Sequence, residues 1–125
     1  MLLSNKTAVI TGCNKGIGKK ILEIFSKNNS NIFACVRNID EEFENFVKSL
    51  SEKYNNKIIP ISLDFENIES VKKASKDILG HKIDIDILVN NAAIIFTAIF
   101  QMTSEEKLKK IFQINFFSQT IFTQN

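Results

Sequence analysis

Short apolar runs typical of strands alternate with segments of helical periodicity along the chain, and this alternation restricts the fold more than any other feature. The strand-like runs cover residues 7–11, 31–36, 58–63 and 86–90. Between them the apolar residues recur every three or four positions, as in Ile17, Ile21 and Phe25. Four such units predict right-handed crossovers and a parallel sheet with helices on both faces, in the strand order 3-2-1-4.

Several residues mark where the predicted elements begin and where they lie. Asp40 can cap the start of the second helix, and Thr103 or Ser104 the start of the last one. Pro60 has no backbone N–H, which predicts that the third strand lies at or near a sheet edge. The uninterrupted apolar run at Ile87–Val89 is typical of a strand that helices cover on both faces.

The length of 125 residues predicts one domain over residues 1–125. A composition of 44% apolar and 24% charged residues argues against a disordered chain. The net charge of +2 is too small to favour nucleic acid or an anionic membrane as a partner. Charges interrupt every apolar stretch well before about 18 residues, and the N-terminus lacks a signal-peptide pattern, so we expect a cytoplasmic protein. Cys13, Cys35 and His81 lack ligand spacing, so neither a metal site nor a disulfide is expected.

A glycine-rich turn, Thr-Gly-Cys-Asn-Lys-Gly-Ile-Gly at residues 11–18, joins the first strand to the first helix. Such a turn lets the backbone approach a pyrophosphate, while the helix offers free N–H groups and its positive end. The residues predicted to surround the phosphates are Gly12, Asn14, Lys15, Gly16, Ile17 and Gly18. Taken alone, the motif also fits a turn without a ligand. A nucleoside triphosphate loop is excluded, because position 17 is Ile and the Lys19-Lys20 pair lacks the magnesium-binding hydroxyl.

Arg37, at the end of the second strand, indicates which dinucleotide would bind. An acid about 20 residues beyond the glycines holds the ribose hydroxyls of NAD, whereas an Arg there accommodates the 2′-phosphate of NADP. Arg37 occupies that place, and the one acid between Gly18 and Asp40 is Glu23, inside the helix. Lys15 can supply a second positive charge to the same phosphate. NADP(H) is therefore favoured over NAD(H), the alternative being that both cations are solvated surface groups.

The spacing Gly-x-x-x-Gly-x-Gly, preceded by Thr, resembles the fingerprint of the short-chain dehydrogenases/reductases. Three later features agree with that family: Asp64 with Phe65 after the third strand, Asn90-Asn91-Ala92-Ala93 at the end of the fourth, and Asn115 in the next helix. The family includes the 3-oxoacyl-acyl-carrier-protein reductases. The resemblance to it extends from Thr7 to the end of the chain. It implies a Rossmann-type fold and hydride transfer between NADP(H) and a small carbonyl or alcohol substrate.

The resemblance also implies a role for each matching residue. Cofactor contacts are implied for Asp64 and Phe65 at the adenine and for Asn91, Ala92 and Ala93 beside the fourth strand, and a catalytic role for Asn115. The family usually has Gly at the position of Ala93, so the methyl group there would crowd the nicotinamide ribose and weaken binding.

Taken singly, these residues have simpler interpretations. Asp64 alone would be a helix-capping or loop acid, and Asn90-Asn91 a turn. Asparagine is unfavourable in a helix interior, and Asn115 taken alone would be a buried polar residue satisfied by the backbone. Their shared order along the chain favours the family interpretation.

The groups that complete the catalytic site in this family do not follow Asn115 here. The family has a Ser and a Tyr-x-x-x-Lys pair for general acid–base catalysis. The one tyrosine of this sequence, Tyr54, precedes the third strand and has Ile58 four residues on, so it is expected to be a packing residue. We therefore expect a truncated fold, the cofactor-binding N-terminal half of an oxidoreductase, inactive alone. An NADP(H)-sensing module and a non-functional product of a disrupted gene remain alternatives.

Such a half-fold would leave apolar surface uncovered. The fourth strand would be an open edge, which favours pairing with another chain. The last helix would expose Phe116, Phe117, Ile121 and Phe122. We expect self-association through these two surfaces.

Overall fold

The four strand-like runs form one parallel sheet. A computed structural model describes residues 2–93 and 103–124. The strands are β1 (Thr7–Thr11), β2 (Asn31–Val36), β3 (Ile58–Ser62) and β4 (Ile87–Val89). Their order is β3-β2-β1-β4, which confirms the prediction. Because all pairs are parallel, the carboxyl ends of the strands lie along the same side of the sheet.

Helices connect the strands. They are α1 (Gly16–Lys27), α2 (Glu41–Tyr54), α3 (Ile68–Gly80), α4 (Glu105–Phe112) and α5 (Ser118–Gln124), with a π-helical turn, Gln113–Phe117, between the last two. Asp40 caps α2, since its Oδ1 accepts a hydrogen bond from the N–H of Phe43 at 2.8 Å. Of the two candidates, Thr103 and Ser104, Ser104 caps α4 and accepts from the N–H of Lys107 at 3.1 Å. Within the described ranges, no helix is both long and apolar enough to cross a membrane.

The core consists of two apolar layers, one on each face of the sheet. In the first layer Ile10 packs with Leu22 of α1 and Phe43 of α2. In the second layer Phe33 packs with Val71 of α3, and α5 closes the same face. The prediction of helices on both faces is confirmed.

The two outer strands differ in how well the sequence predicts them. Pro60 pairs with Ala34 of β2 and has no strand on its other side in the described structure, as expected for an edge. β4 is shorter than predicted, and Leu88 is 37% exposed. The expectation that helices cover both faces of β4 is wrong, because α3 and α5 leave an open groove beside Leu88.

The segment from the π-helical turn through α5 buries more apolar surface than the sequence predicts. Phe116 and Phe117 are exposed, as expected. Phe122 is buried instead, and its ring meets that of Phe65 edge-on with 6.0 Å between the centroids. Ile121 is half-buried. The difference arises because α5 packs on α3 and closes the second core layer.

Candidate functional site

A cavity of about 610 Å³ opens where the carboxyl ends of the strands meet the glycine-rich turn. Seventeen residues line it: Thr11, Gly12, Asn14, Lys15, Gly16, Ile17, Cys35, Val36, Arg37, Leu63, Asp64, Phe65, Glu66, Asn91, Ala92, Ala93 and Ile114. Among the predicted cofactor residues, all but Gly18 belong to this lining. The fold therefore brings together four segments that are far apart in the sequence.

The glycine-rich turn needs its glycines for conformation and for space. Gly12 and Gly16 have positive φ angles of 68° and 59°, which other residues rarely adopt. Gly18 is buried, and a Cβ there would overlap the carbonyl of Gly12 and lie 2.5 Å from Asn91 Nδ2. Gly18 is therefore not part of the cavity lining. Its lack of a side chain allows the start of α1 to pack against the backbone of the turn.

The start of α1 lines the cavity, and the first backbone N–H groups of a helix have no partner within the helix itself. Lys15 is the N-cap, and its side chain makes no capping hydrogen bond. The first turn carries no acidic residue, so the positive end of the helix dipole is not neutralised by a carboxylate of its own helix. Ile17, in this first turn, is 74% exposed and belongs to the cavity lining. These features are typical of an anion site at a helix N-terminus.

Thr11 fixes the opposite wall of the cavity. Its Oγ1 accepts hydrogen bonds from the backbone N–H groups of Asn91 and Ala92, each at 3.0 Å. Asn91 Nδ2 donates back to the carbonyl oxygens of Thr11 and Gly12, each at 3.3 Å. The segment after β4 is therefore tied to the glycine-rich turn. Sequence reasoning assigned Asn91 to the cofactor and missed Thr11, whose partners lie about 80 residues away.

The amide of Asn90 points away from this wall. Its Nδ2 donates to Thr123 Oγ1 of α5 at 3.2 Å. The interpretation of Asn90-Asn91 as a simple turn therefore misses that each amide joins a separate part of the chain.

An ion-pair network lies at the far end of the cavity. Arg37 follows β2, and its Nη2 lies 3.0 Å from Glu66 Oε2 while its Nε lies 3.7 Å from Asp64 Oδ2. Lys110 of α4 contacts the other oxygen of Glu66 at 2.6 Å. The hydrogen bond from Lys110 lowers the pKa of the Glu66 carboxyl, and the charges of Lys110 and Arg37 act in the same direction.

Sequence reasoning missed Glu66. The available signal was an acid two positions after Asp64 in the same turn, where the N–H of Glu66 donates to Asp64 Oδ1 at 2.9 Å.

Asn115 lies outside the cavity lining. It sits in the π-helical turn, is exposed, and borders a separate depression with Asn90 and Gln119. Its neighbour Ile114 enters the core and the cavity wall, and the next residue is rotated about a quarter turn around the helix axis. The interpretation of Asn115 as a buried polar residue is wrong.

The two cysteines are buried, and neither is a reactive thiol. Burial raises the pKa of Cys13 to about 12, and its Sγ donates to the carbonyl of Ile10 at 3.0 Å. Burial also raises the pKa of Cys35 well above its ordinary value. A thiol protonated at neutral pH is a poor nucleophile and a poor metal ligand.

The described residues contain no cluster of three or more His, Cys, Asp or Glu side chains placed to hold a metal ion. The charged chemistry of the cavity comes from Lys15, Arg37, Asp64 and Glu66. Such a site can bind and orient an anionic ligand with backbone N–H groups and side-chain cations.

Comparison with known proteins gives curated relatives whose sequences match most of this chain. The 3-oxoacyl-[acyl-carrier-protein] reductase FabG of Buchnera aphidicola is 28% identical over 115 residues, which cover 92% of this chain and 45% of the relative. The NADPH-dependent 3-dehydrocapnine reductase of Ornithobacterium rhinotracheale is 31% identical over 121 residues, covering 94% of this chain and 40% of the relative. The chain thus spans less than half the length of these curated relatives.

Solved structures and a family model agree with these relatives. L-Sorbose reductase of Gluconobacter frateurii, complexed with NADPH and L-sorbose, matches with a TM-score of 0.89 and 26% identity over 98% of this chain and 46% of its own. An alcohol dehydrogenase of Thermococcus sibiricus, complexed with 5-hydroxy-NADP, matches with a TM-score of 0.88 and 25% identity over 95% of this chain and 50% of its own. The model of the short chain dehydrogenase family matches residues 6–125. The chain belongs to this family of oxidoreductases.

Proposed function

We propose that this chain binds NADP(H) and supplies the cofactor-binding half of an enzyme that transfers hydride between NADP(H) and a carbonyl or alcohol. The observation that carries the proposal is the single cavity in which a glycine-rich helix start and Arg37 face the same space. A helix start favours a pyrophosphate, and a guanidinium favours the further phosphate of NADP.

The lining residues fit the cofactor in a defined order. Backbone N–H groups at the start of α1 would hold the pyrophosphate, and Arg37 with Lys15 would hold the 2′-phosphate. Asp64 and Phe65 would contact the adenine, and Asn91, Ala92 and Ala93 the nicotinamide side. The methyl group of Ala93 would reduce the room for the nicotinamide ribose and weaken binding. The cofactor, when bound, supplies the hydride.

The relatives support the choice of cofactor. One is named an NADPH-dependent reductase, and the matching sorbose reductase and alcohol dehydrogenase are complexes with NADPH or an NADP derivative. We propose on this basis that NADP(H) is preferred over NAD(H). We also propose, from the sequence, that residues 1–125 form one cofactor-binding domain and that it acts in the cytoplasm.

We also propose that these 125 residues bind cofactor without catalysing hydride transfer. Tyr54 ends α2 and packs on the first core layer, away from the residues that line the cavity. The sequence has no second tyrosine to act as the acid of a Tyr-x-x-x-Lys pair. The part played by Asn115 here would be to complete a site together with such groups.

The test is to measure the dissociation constants of NADPH and NADH for the purified chain by nucleotide fluorescence and calorimetry. NADPH should bind more tightly, and Arg37→Asp should weaken NADPH binding by about tenfold or more while changing NADH binding little. Lys72→Asp makes the same change of charge on the exposed side of α3 and should leave both constants unchanged. Folded chain without affinity for NADPH, or a preference that survives Arg37→Asp, would refute the proposal.

A further inference from the structure

Glu66 links Arg37 to Lys110 of α4. Its two carboxylate oxygens are divided between the cations, with Arg37 Nη2 at 3.0 Å from Oε2 and Lys110 Nζ at 2.6 Å from Oε1. Asp64 adds a second carboxylate on the side of Arg37 Nε. Arg37 therefore has two negatively charged neighbours at the place where a 2′-phosphate would bind.

The local charge opposes anion binding unless one carboxylate changes partner. Two carboxylates beside one guanidinium leave no net positive charge, and they repel a phosphate that carries close to two negative charges. Lys110 changes this balance, because its ammonium group competes with Arg37 for Glu66. A Glu66 carboxylate paired with Lys110 alone would release Arg37.

The side chains have the freedom and the ionisation state that such an exchange needs. The exposed fractions of the Arg37 and Lys110 side chains are 64% and 54%, whereas that of Glu66 is 27%. The backbone of Glu66 is fixed in its turn by the hydrogen bond to Asp64 Oδ1. The ion pairs favour the charged form of Glu66. Small rotations of the exposed Arg37 and Lys110 side chains can therefore change which cation the Glu66 carboxylate pairs with.

We propose that Glu66 determines how strongly this chain prefers NADP(H) over NAD(H), by holding Arg37 until a 2′-phosphate displaces it toward Lys110. The proposal rests on the proposed function, because it requires a dinucleotide in this cavity. Glu66 lowers the affinity for NADPH, and Lys110 limits that loss. Lys110 is a positioning residue, since it acts on Arg37 through Glu66.

The experiment measures dissociation constants of NADPH and NADH for the wild-type chain, Glu66→Gln, Lys110→Met and the double variant. Glu66→Gln should strengthen NADPH binding by about two- to five-fold, the range that exposed ion pairs support, and should leave NADH binding nearly unchanged. Lys110→Met should weaken NADPH binding in the wild-type background and have no effect when Glu66 is already Gln.

A matched control separates this contact from the general field. Glu105→Gln removes the same charge from α4, where Glu105 pairs with Lys109, and should leave both constants unchanged. Raising the ionic strength to about 0.5 M reduces the screening length to about 4 Å, so a long-range field effect would disappear while an exchange of contact partners persists.

Three results would overturn the inference. The first is a Glu66→Gln variant with unchanged NADPH binding, and the second is a Glu66→Gln variant that binds NADPH and NADH more tightly by the same factor. The third is a Lys110→Met effect of equal size in both backgrounds, which would place Lys110 on the phosphate itself. If the wild-type chain binds NADPH in preference to NADH and Glu66→Gln changes nothing, this inference fails alone. If the folded wild-type chain binds neither nucleotide, the proposed function fails and this inference with it.

Discussion

Replacing Thr11 with Val should uncouple the segment after β4 from the glycine-rich turn while keeping the shape of the core. Thr11 is fully buried, and its Oγ1 accepts from the N–H groups of Asn91 and Ala92. Val has nearly the same volume but no acceptor, so the Ala92 N–H loses its partner and the Asn91 N–H keeps only the carbonyl of Val89, at 3.2 Å. Thr11→Ser is the matched control, because it keeps the hydroxyl and removes only the methyl group.

The structure sets the size of the effect. An unsatisfied buried donor costs about 1–3 kcal/mol, and the hydrogen bonds lie in a partly buried region where water can compensate in part. One donor is left unsatisfied and the other keeps one acceptor, so we expect Thr11→Val to lower the free energy of unfolding by about 2–3 kcal/mol. Loss of one buried methyl group in Thr11→Ser should cost about 1 kcal/mol.

Urea unfolding followed by circular dichroism measures this difference. With a slope of about 1–3 kcal/mol per molar urea, a loss of 3 kcal/mol shifts the midpoint by about 1–3 M. Thr11→Val should also weaken NADPH binding, because Asn91 and Ala92 line the cavity. The reasoning is refuted if Thr11→Ser is as destabilising as Thr11→Val, since the hydroxyl would then contribute nothing.

Three further outcomes follow from the same structure. Gly18→Ala should destabilise the chain by about 1–3 kcal/mol through overpacking and abolish NADPH binding, whereas Gly80→Ala, where an added Cβ meets nothing within 4 Å, should be neutral in urea unfolding. Because burial raises the pKa of Cys13 to about 12, the folded chain retains a proton that the unfolded chain loses above about pH 9. The free energy of unfolding should therefore fall as the pH rises from about 9 to about 12. The fall should be less steep in the Cys13→Ala variant. Phe116 and Phe117 are 57% and 52% exposed, and we propose that they promote self-association, so changing both to Glu should reduce the apparent mass in size-exclusion chromatography; an unchanged elution volume would contradict this.

The sequence predicted the sheet order and the cap of α2, and it narrowed the cap of α4 to Thr103 or Ser104, because these features depend on local patterns. Asp40 and Ser104 are short polar residues before helical periodicity, and each accepts a hydrogen bond three residues on. The burial of β4 and Phe122 was not predicted correctly, because it depends on which elements cover a surface. Leu88 and Phe122 are both apolar in the sequence, yet α5 packs in a way that buries one and leaves a groove beside the other.

In the candidate site, too, residues set by local patterns could be predicted, and residues set by distant partners could not. The glycines and Arg37 could be placed from spacing, because strand ends of a parallel sheet meet on one side. Thr11 and Glu66 could not, because their roles are defined by partners that only the folded chain brings near. Asn115 matched its family by position, yet the π-helical turn directs it away from the cavity in the described structure.

Under the two proposals above, the choice between NADP(H) and NAD(H) would depend on three side chains: Arg37, Glu66 and Lys110. The rule that an Arg after the second strand selects NADP treats its charge as free. Here Arg37 forms an ion pair with Glu66, and Glu66 also pairs with Lys110 of α4, a helix that follows β4. A carboxylate between two cations makes the effective charge at Arg37 depend on the position of α4. Any change that moves α4 away from the turn after β3 should therefore strengthen the pair between Glu66 and Arg37 and reduce the preference for NADP(H), with no change at Arg37 itself.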